Sequence, residues 1–413
     1  MPFVIFDFLF FIYALIYLPY LLFTGRWYKG FFCRLGFFPP GLKNRLSKSS
    51  TIWIHAVSVG EIIAISSLIT NINSRWPNYT LVVTTTTKTG YELAQNKLGQ
   101  KAIVIPSPLD FSWVVSTFVR LIKPKIYIAA ETEIWPNLFS CLKREKIPTV
   151  IINGRISDTS FGRYKLIKFL LKSTLDKVSL FCMQSDTDAV RIIELGAAKD
   201  KVFVVGNIKF DDGPHQETLS AILIPRNRPL WIAGSTHPGE EEIILKVFIK
   251  HKDAWDLIIA PRHVDRSEHI VRLVESQGLK AIRLSQYLGL PELNTVLIVD
   301  TIGHLKALYA KASLVFVGKS LCVGGGHNII EPALYAKPII VGPRMENFRD
   351  ITSIFKNQGA MIQVKDTLEF EEQVDRLMDD ETLRNHLGQK AYELVSANQG
   401  AGSRTLNALE KWL

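Results

Sequence analysis

Short apolar runs alternate with polar or helix-periodic stretches along most of the chain. In the first half these runs are TIWIHA, TLVVTTTT, AIVIPS, KIYIAAE, PTVIING and SLFCMQS. The pattern restarts in the second half with LWIAGS, DLIIAPR, VLIVD, LVFVG and PIIVG. This alternation is typical of βαβ units, so it predicts two doubly wound α/β halves, each with a parallel sheet. We expect ligands to bind in a cleft between the halves, near the carboxyl ends of the strands.

The N-terminal segment is the most apolar part of the chain. Phe3 to Phe23 has roughly the 20 residues that a helix needs to cross a bilayer. Residues 1–50 carry six basic residues against one acidic residue, Asp7, which gives half of the net charge of +10. The pattern predicts an uncleaved membrane anchor with the rest of the chain in the cytoplasm. Because Asp7 and Pro19 interrupt it, a helix lying in the interface or a buried core helix are the alternatives.

A second stretch, Arg163 to Lys177, sets lysines against leucines and a phenylalanine. It predicts a helix that rests on anionic lipid headgroups, and the alternative is a surface helix that packs on the core with solvated lysines.

Composition limits the class of protein. The chain has 413 residues, 47% of them hydrophobic, so it can bury more than one core. Its four cysteines form no CxxC pair, which indicates neither a zinc cluster nor a disulfide framework. A linker is predicted near Asp211 to Pro214. The predicted domains are an anchor (1–25), an N-terminal domain (26–207), a C-terminal domain (208–392) and a C-terminal helix (393–413) that returns to the N-terminal domain.

Three consecutive glycines end an apolar run in FVGKSLCVGGGHNIIEP. Without Cβ atoms their backbone can approach an anion, and a helix predicted to start near His327 and Asn328 would point its positive dipole end at the same place. The alternative is a tight turn that caps the helix. Glu331 lies one turn beyond Asn328, where it can bind ribose hydroxyls or merely compensate the helix dipole.

Polar side chains follow several predicted strands. In HAVSVGE, Glu61 follows the first strand and can accept a proton from an attacking hydroxyl, although a first-turn acid is often only a dipole partner. Glu131 and Glu133 follow another strand, and Lys209 enters from the linker. In the second half, strand ends place together Ser235, Thr236, His237, Pro261, Arg262, His263 and Asp300. Acids on one side and cations with a phosphate loop on the other favour transfer of a group from a nucleotide to an alcohol.

Ten motifs in order carry a resemblance to a known family. They are HAVSVGE, TTTTKTG, ETEIWPN, NGRIS, GNIKFD, AGSTHPGEEE, APRH, DTIGHL, GGGHNIIEP and GPRMENF. Together they resemble the 3-deoxy-D-manno-octulosonic acid (Kdo) transferase family across nearly the whole chain. The resemblance implies a GT-B fold, with two Rossmann-like domains and a cleft between them. It also implies inverting transfer of Kdo from CMP-Kdo to a lipid A precursor, lipid IVA, in lipopolysaccharide core biosynthesis, without metal or cofactor.

The resemblance also assigns residues and partners. Glu61 matches the general base, and Glu131 and Lys209 match positions that stabilise the transition state. The matching CMP-binding positions are Pro261, Arg262, Ile302, Gly303, His304, Asn328, Ile329, Ile330 and Glu331. Gly325 and Gly326 are the expected phosphate loop, and His304 replaces an acidic residue common in the family. The expected partners are CMP-Kdo, the lipid A precursor and inner-membrane lipids, but no nucleic acid, with the catalytic domains on the cytoplasmic face of the inner membrane.

Other function classes fit parts of the pattern. A nucleotide-sugar epimerase of GT-B-like fold would share the cleft and glycine loop but would need no membrane anchor. A nucleotide-sensing scaffold without enzymatic activity would have no need of Glu61, Glu131 and Lys209 together. A transferase for another nucleotide sugar or acceptor is the nearest alternative.

Overall fold

The computed structural model describes residues 7–8, 11–12, 30–46, 50–211, 228–287 and 294–413. The chain forms two compact units. The first unit contains Met1–Asp211 together with Gln399–Leu413, and the second contains Asp212–Asn398. Beyond Asp211, the predicted linker lies outside the described residues.

Seven parallel strands form the sheet of the first unit. They are β1 (Thr51–His55), β2 (Thr80–Thr85), β3 (Ala102–Pro106), β4 (Pro124–Ala130), β5 (Thr149–Gly154), β6 (Leu180–Met183) and β7 (Val202–Val204). Their order is β3-β2-β1-β4-β5-β6-β7. The six predicted strands are confirmed, and β7 extends the sheet at its edge. The chain reverses its direction of winding between β1 and β4, which makes the carboxyl ends of these two strands the switch point where ligands bind in such sheets.

Helices follow most of these strands, and small polar residues start several of them. They are α1 (Leu42–Leu46), α2 (Val59–Arg75), α3 (Lys88–Leu98), α4 (Ser112–Ile122), α5 (Pro136–Arg144), α6 (Asp158–Leu166), α7 (Lys168–Leu175) and α8 (Asp186–Glu194). The side chains of Ser58, Thr87, Ser157 and Ser185 accept backbone N–H groups at the starts of α2, α3, α6 and α8. Each such cap contributes about 0.5–2 kcal/mol.

Both faces of this sheet are buried. Trp53 of β1 packs with Tyr127 and Phe118 in one apolar cluster. Its neighbours Ile52 and Ile54 belong to a second cluster, because successive side chains of a strand point to opposite faces. Burial on both faces explains why the strands are continuous apolar runs rather than alternating ones.

A second parallel sheet of seven strands forms the other unit. Its strands are β8 (Leu230–Thr236), β9 (Asp256–Pro261), β10 (Lys280–Arg283), β11 (Thr295–Ile298), β12 (Leu314–Val317), β13 (Ile339–Val341) and β14 (Ile362–Gln363). The order is β10-β11-β9-β8-β12-β13-β14, so the switch point lies between β8 and β12. The five predicted strands of this half are confirmed. The two additional strands, β10 and β14, lie at the edges and are only partly buried.

The remaining helices are α9 (Glu240–His251), α10 (Ser267–Ser276), α11 (Leu305–Tyr309), α12 (Ile330–Ala333), α13 (Arg349–Asn357), α14 (Thr367–Asp379), α15 (Glu381–Asn398) and α16 (Ala401–Leu409). The last of these, α16, belongs to the first unit. Its Leu406 and Leu409 are buried in the same cluster as Ile52. Burying each leucine contributes about 1.5–3 kcal/mol, which holds the C-terminal helix on the first sheet.

Two helix predictions need correction. The helix after the glycines begins at Ile330 rather than near His327 or Asn328, and it ends at Ala333. Arg163 to Lys177 does not form one helix, because α6 ends at Leu166 and α7 begins at Lys168. Ile167 between them has φ −113° and ψ 20°, which is not helical.

The predicted anchor, Phe3 to Phe23, lies outside the described residues except at four positions. In the ranges that the structure describes, no helix combines the length and apolarity required to cross a bilayer. Asp7 is one of the four, and its carboxylate accepts the backbone N–H of Ser112 (2.8 Å), the Ser112 hydroxyl (2.6 Å) and the side-chain amide of Asn137 (2.9 Å). Asp7 therefore caps α4, whose own N-cap residue, Phe111, has no side-chain acceptor.

Candidate active site

Glu61 lies at the switch point of the first sheet, in the first turn of α2. Its carboxylate accepts the backbone N–H of Val57 and the hydroxyl of Ser58, both at 2.8 Å. Ser58 in turn accepts the backbone N–H of Glu61 at 3.4 Å, which completes a capping box. The side chain is buried, with 7% of the residue exposed. A group fixed by two hydrogen bonds has a defined orientation, as a general base requires.

The acids of the first unit influence each other. Burial raises the pKa of Glu61, and the charge of Glu131 raises it further, although the hydrogen bond from Val57 opposes both effects. Burial and the charges of Glu61 and Glu131 raise the pKa of Glu133 to about 7. Glu131 itself follows β4 with φ +55°, an unfavourable backbone conformation that places its side chain at the strand end. The structure thus brings Glu61, Glu131 and Glu133 into one electrostatic cluster.

Lys209 lies in a short 3₁₀ turn, Ile208–Asp211, which packs against α2. The turn is held at its start, because the Asn153 side chain accepts the backbone N–H of Ile208 at 3.1 Å. At its end, Asp211 accepts backbone N–H groups of the C-terminal segment, from Gly400 at 2.6 Å and also from Gly402. All three predicted groups, Glu61, Glu131 and Lys209, therefore belong to the first unit.

Two buried acids of the second unit, Glu240 and Glu241, organise its strand ends, a role that the sequence pattern did not predict. Glu240 accepts four backbone N–H groups at 2.9–3.0 Å, from His237, Lys319, Ser320 and Leu321. Glu241 accepts the Thr236 hydroxyl at 2.8 Å and both terminal nitrogens of Arg266 at 2.8 and 3.1 Å. These contacts tie the loop after β12 to the end of β8. The sequence pattern showed these acids only as a helix start signal.

The glycine segment is covered by another part of its own unit. The backbone N–H of Gly325 donates to Glu346 at 2.6 Å, and that of Gly326 donates to the carbonyl of Lys319 at 2.7 Å. A Cβ on Gly325 would come within 2.7 Å of the Asn347 amide nitrogen. The glycines therefore allow the loop of residues 345–347 to pack closely. A phosphate would have to displace these contacts, and the phosphate-binding role of Gly325 and Gly326 stays a prediction.

The expected CMP-binding positions follow three strands of the second sheet. Pro261 ends β9 and is buried, whereas Arg262 is exposed. After β11, Ile302 is 86% exposed and Gly303 has φ +99°. His304 precedes α11, and its Nδ1 is buried without a hydrogen-bond partner among the described residues.

The third segment follows β12. Asn328 accepts the backbone N–H of Ile330 at 3.1 Å and donates to Glu331 at 3.3 Å. Ile329 and Ile330 are buried. The polar side chains of this segment are therefore those of Asn328 and Glu331, which contact each other.

The chain is similar to known proteins over most of its length. A family model described as "3-Deoxy-D-manno-octulosonic-acid transferase (kdotransferase)" matches residues 29–212, and one described as "Glycosyl transferases group 1" matches residues 227–394. A 3-deoxy-D-manno-octulosonic acid transferase of Haemophilus influenzae is 35% identical, with 88% of this chain and 87% of that protein covered. A protein of the same name from Rickettsia felis is 32% identical, with 88% and 80% covered.

Solved structures show the fold. The UDP-GlcNAc 2-epimerase of Neisseria meningitidis superimposes with a TM-score of 0.58 at 14% identity, covering 87% of this chain and all of that one. At this identity the likeness concerns the fold alone. Together with the group 1 match, it gives a GT-B-like glycosyltransferase fold with two parallel-sheet, Rossmann-like domains.

Proposed function

The chain belongs to the Kdo transferase family, and from that premise we propose how its residues carry out the reaction. The protein is a glycosyltransferase that transfers Kdo in lipopolysaccharide biosynthesis. We take CMP-Kdo as the donor and a hydroxyl of the lipid A precursor lipid IVA as the acceptor. The observation that carries the mechanism is Glu61, a buried carboxylate of raised pKa that is fixed at a switch point.

In the proposed reaction the bond between the anomeric carbon of Kdo and the phosphate oxygen of CMP breaks, and the acceptor oxygen bonds to that carbon from the opposite face. The configuration therefore inverts. Glu61 accepts the proton of the acceptor hydroxyl, and CMP leaves with the bonding electron pair. Its raised pKa suits Glu61 for this step, because a base accepts a proton more readily when its pKa is closer to the working pH.

Charge develops on both reactants during this step. The sugar becomes positively charged as it loses the phosphate, and the negative charge of the Glu131 carboxylate can stabilise it. The phosphate gains negative charge, which the positive charges of Lys209 and Arg262 can stabilise. Asn328 and Glu331 supply the polar groups for the nucleotide, with Glu331 assigned to the ribose hydroxyls.

A lipid acceptor requires access to the membrane, which we propose the first unit provides on the cytoplasmic face of the inner membrane. Around the break between α6 and α7, Leu166 and Phe169 are 82% and 75% exposed. Lys168 and Lys172 are exposed beside them. Apolar side chains flanked by lysines fit a surface of anionic lipids.

Product analysis tests the proposed function. Detergent-solubilised protein is incubated with CMP-Kdo and lipid IVA, and the lipid is weighed by mass spectrometry. The expected product is lipid IVA enlarged by whole Kdo residues, with release of CMP. An epimerised sugar nucleotide with unchanged lipid would refute the proposal, as would transfer from a different nucleotide sugar in preference to CMP-Kdo.

Flotation with vesicles tests the membrane surface separately. Leu166→Glu with Phe169→Glu is expected to reduce binding to anionic vesicles while leaving CMP affinity unchanged. The matched control is Val190→Glu, at an exposed apolar position on α8. Equal loss of binding in the control, or no loss in the double variant, would show that this surface does not contact lipid.

A further inference from the structure

Two histidines meet at the switch point of the second sheet. His237 directly follows β8, and His327 lies in the segment after β12, beside the expected CMP-binding residue Asn328. Their Nε2 atoms are 3.3 Å apart, and the rings stack with centroids 5.5 Å apart and planes 23° apart. At this distance one Nε2 carries a hydrogen and the other accepts it. The pair can therefore bind one additional proton, whereas two positively charged rings would repel each other.

Positive groups surround this histidine pair. The positive charges of Lys319 and Arg262 disfavour protonation of both rings. The ring of His263 packs edge to face against that of His237, with centroids 5.8 Å apart. Arg266 also acts on His237, but its guanidinium is bound by Glu241. Burial and these charges lower the pKa of His237 to about 4 and that of His327 to about 3.

The acids next to the pair are already engaged. Glu240 directs its two oxygens to four backbone N–H groups, including that of His237, and Glu241 binds Arg266 and Thr236. Among the described residues that lower the pKa of the pair, the cations that face it are thus Lys319 and Arg262. An arrangement of cations around two neutral imidazoles is suited to an anion.

We propose that the histidine pair binds an anionic group of the nucleotide-sugar donor and takes up one proton when the donor binds. The inference rests on the proposed function, because it takes CMP-Kdo as the donor. The donor offers two groups of this chemistry, the phosphate of CMP and the carboxylate of Kdo. The pair would then be a recognition element for the donor's charge, distinct from the residues expected to bind the nucleotide.

Proton uptake follows because a bound anion offsets the positive charge that surrounds the pair. In the free protein, burial and the surrounding cations keep the pair neutral at pH 7. A bound anion favours the protonated form of a neighbouring imidazole, so it raises the pKa of the pair. A group whose pKa rises on binding strengthens binding as the pH falls, so donor affinity should increase from pH 8 to pH 6.

Isothermal titration calorimetry of the full chain at pH 7 tests the inference. CMP is titrated in buffers of different ionisation enthalpy, and the slope of the heat against that enthalpy gives the protons taken up. We expect about half a proton or more per CMP, beyond that of the CMP phosphate itself. His327→Gln and His237→Gln should each lose this uptake and weaken CMP binding. His269→Gln, at an exposed position on α10, should behave as wild type.

The ligands separate the possible outcomes. Uptake with CMP but not with cytidine assigns the pair to the phosphate, and uptake with free Kdo assigns it to the carboxylate. Normal CMP binding with the same proton uptake in wild type and both variants would overturn the inference while leaving the proposed function intact. Failure of wild-type protein to bind CMP or CMP-Kdo would overturn the proposed function itself. Should a glutamine variant fold poorly, the wild-type buffer series with CMP and with free Kdo decides, since absence of proton uptake with both ligands contradicts the inference.

Discussion

At the start of α2 the carboxylate of Glu61 has two roles. It completes a capping box with Ser58, and it is the proposed base. The structural and chemical explanations that the sequence left as alternatives are therefore compatible, because the cap is what fixes the direction of the carboxylate. Replacement by glutamine separates them, since glutamine keeps the capping-box geometry but cannot accept the proton.

We predict that Glu61→Gln lowers the rate of Kdo transfer by about 10²–10⁴-fold, the usual contribution of a general base. CMP affinity and thermal stability should stay close to wild type. The rate is measured by product mass spectrometry and the affinity by calorimetry. Glu92→Gln, on the exposed face of α3, is the control and should transfer normally. Near wild-type transfer by Glu61→Gln would remove Glu61 from the role of base.

Glu133 provides a test of the acidic cluster through stability. Its pKa of about 7 exceeds the ordinary value of 4.5, so the folded protein keeps a proton between these values that the unfolded chain releases. Stability from this group is therefore complete below pH 4.5 and is lost as the pH rises through 7. We predict that Glu133→Gln raises the free energy of unfolding at pH 8 by about 1–2 kcal/mol, with no gain at pH 4.

Chemical denaturation followed by tryptophan fluorescence at both pH values measures this effect. Glu145→Gln, at a surface position after α5, is the matched control and should show no such pH dependence. An equal effect of Glu133→Gln at pH 4 and pH 8 would contradict a raised pKa at this residue.

Residues whose partners are close in sequence were predictable, and residues whose partners are distant were not. The position of Glu61 at a helix start could be predicted because its strand end, cap and helix lie within one motif. Glu240 looked like one of several first-turn acids, because its partners Lys319 to Leu321 are about eighty residues away. The contacts of Gly325 and Gly326 were not predictable for the same reason, since the loop that covers these glycines begins only at Met345.

At the level of elements, strands buried on both faces were found in sequence and exposed edges were not. β1, β4, β8 and β12 are continuous apolar runs because neighbouring helices cover both sides of the sheet. β10 is only partly buried and carries Lys280 and Arg283, so it lacks that signal. Switch points follow from the order of strands, which explains why the positions of the candidate groups at strand ends were largely predictable.

Asp211 connects two distant elements of the first unit. Its carboxylate caps the C-terminal helix α16 through the N–H groups of Gly400, Ala401 and Gly402. We predict that Asp211→Ala destabilises the protein by about 0.5–2 kcal/mol and accelerates proteolysis near residue 400, because the cap is lost. Asp200→Ala, at an exposed position, is the control. Unchanged proteolysis in Asp211→Ala would show that burial of α16 holds the helix without the cap.

On the scale of the whole molecule, the proposed chemistry is divided between the two units. The proposed base Glu61 and its acidic neighbours belong to the first unit, whereas the expected nucleotide-binding positions belong to the second. Variants should divide in the same way. Changes in the first unit should affect the rate of transfer, and changes in the second should affect donor affinity.

We predict that Glu331→Ala weakens CMP binding by about 10- to 100-fold, because a charged hydrogen bond to the ribose is worth about 1.5–3 kcal/mol. Calorimetry with CMP measures the affinity. Glu393→Ala on the exposed surface of α15 is the control and should bind CMP as wild type does. An unchanged affinity in Glu331→Ala would refute its assignment to the nucleotide.

The return of the chain's end to the first sheet also has a consequence for biosynthesis. Outside the C-terminal segment, the apolar cluster that Leu406 and Leu409 join is formed by residues that precede the second unit in the chain. The first unit can therefore be completed only after the whole second unit has been translated. Until then the nascent chain exposes part of this apolar cluster, which is the kind of surface that molecular chaperones bind.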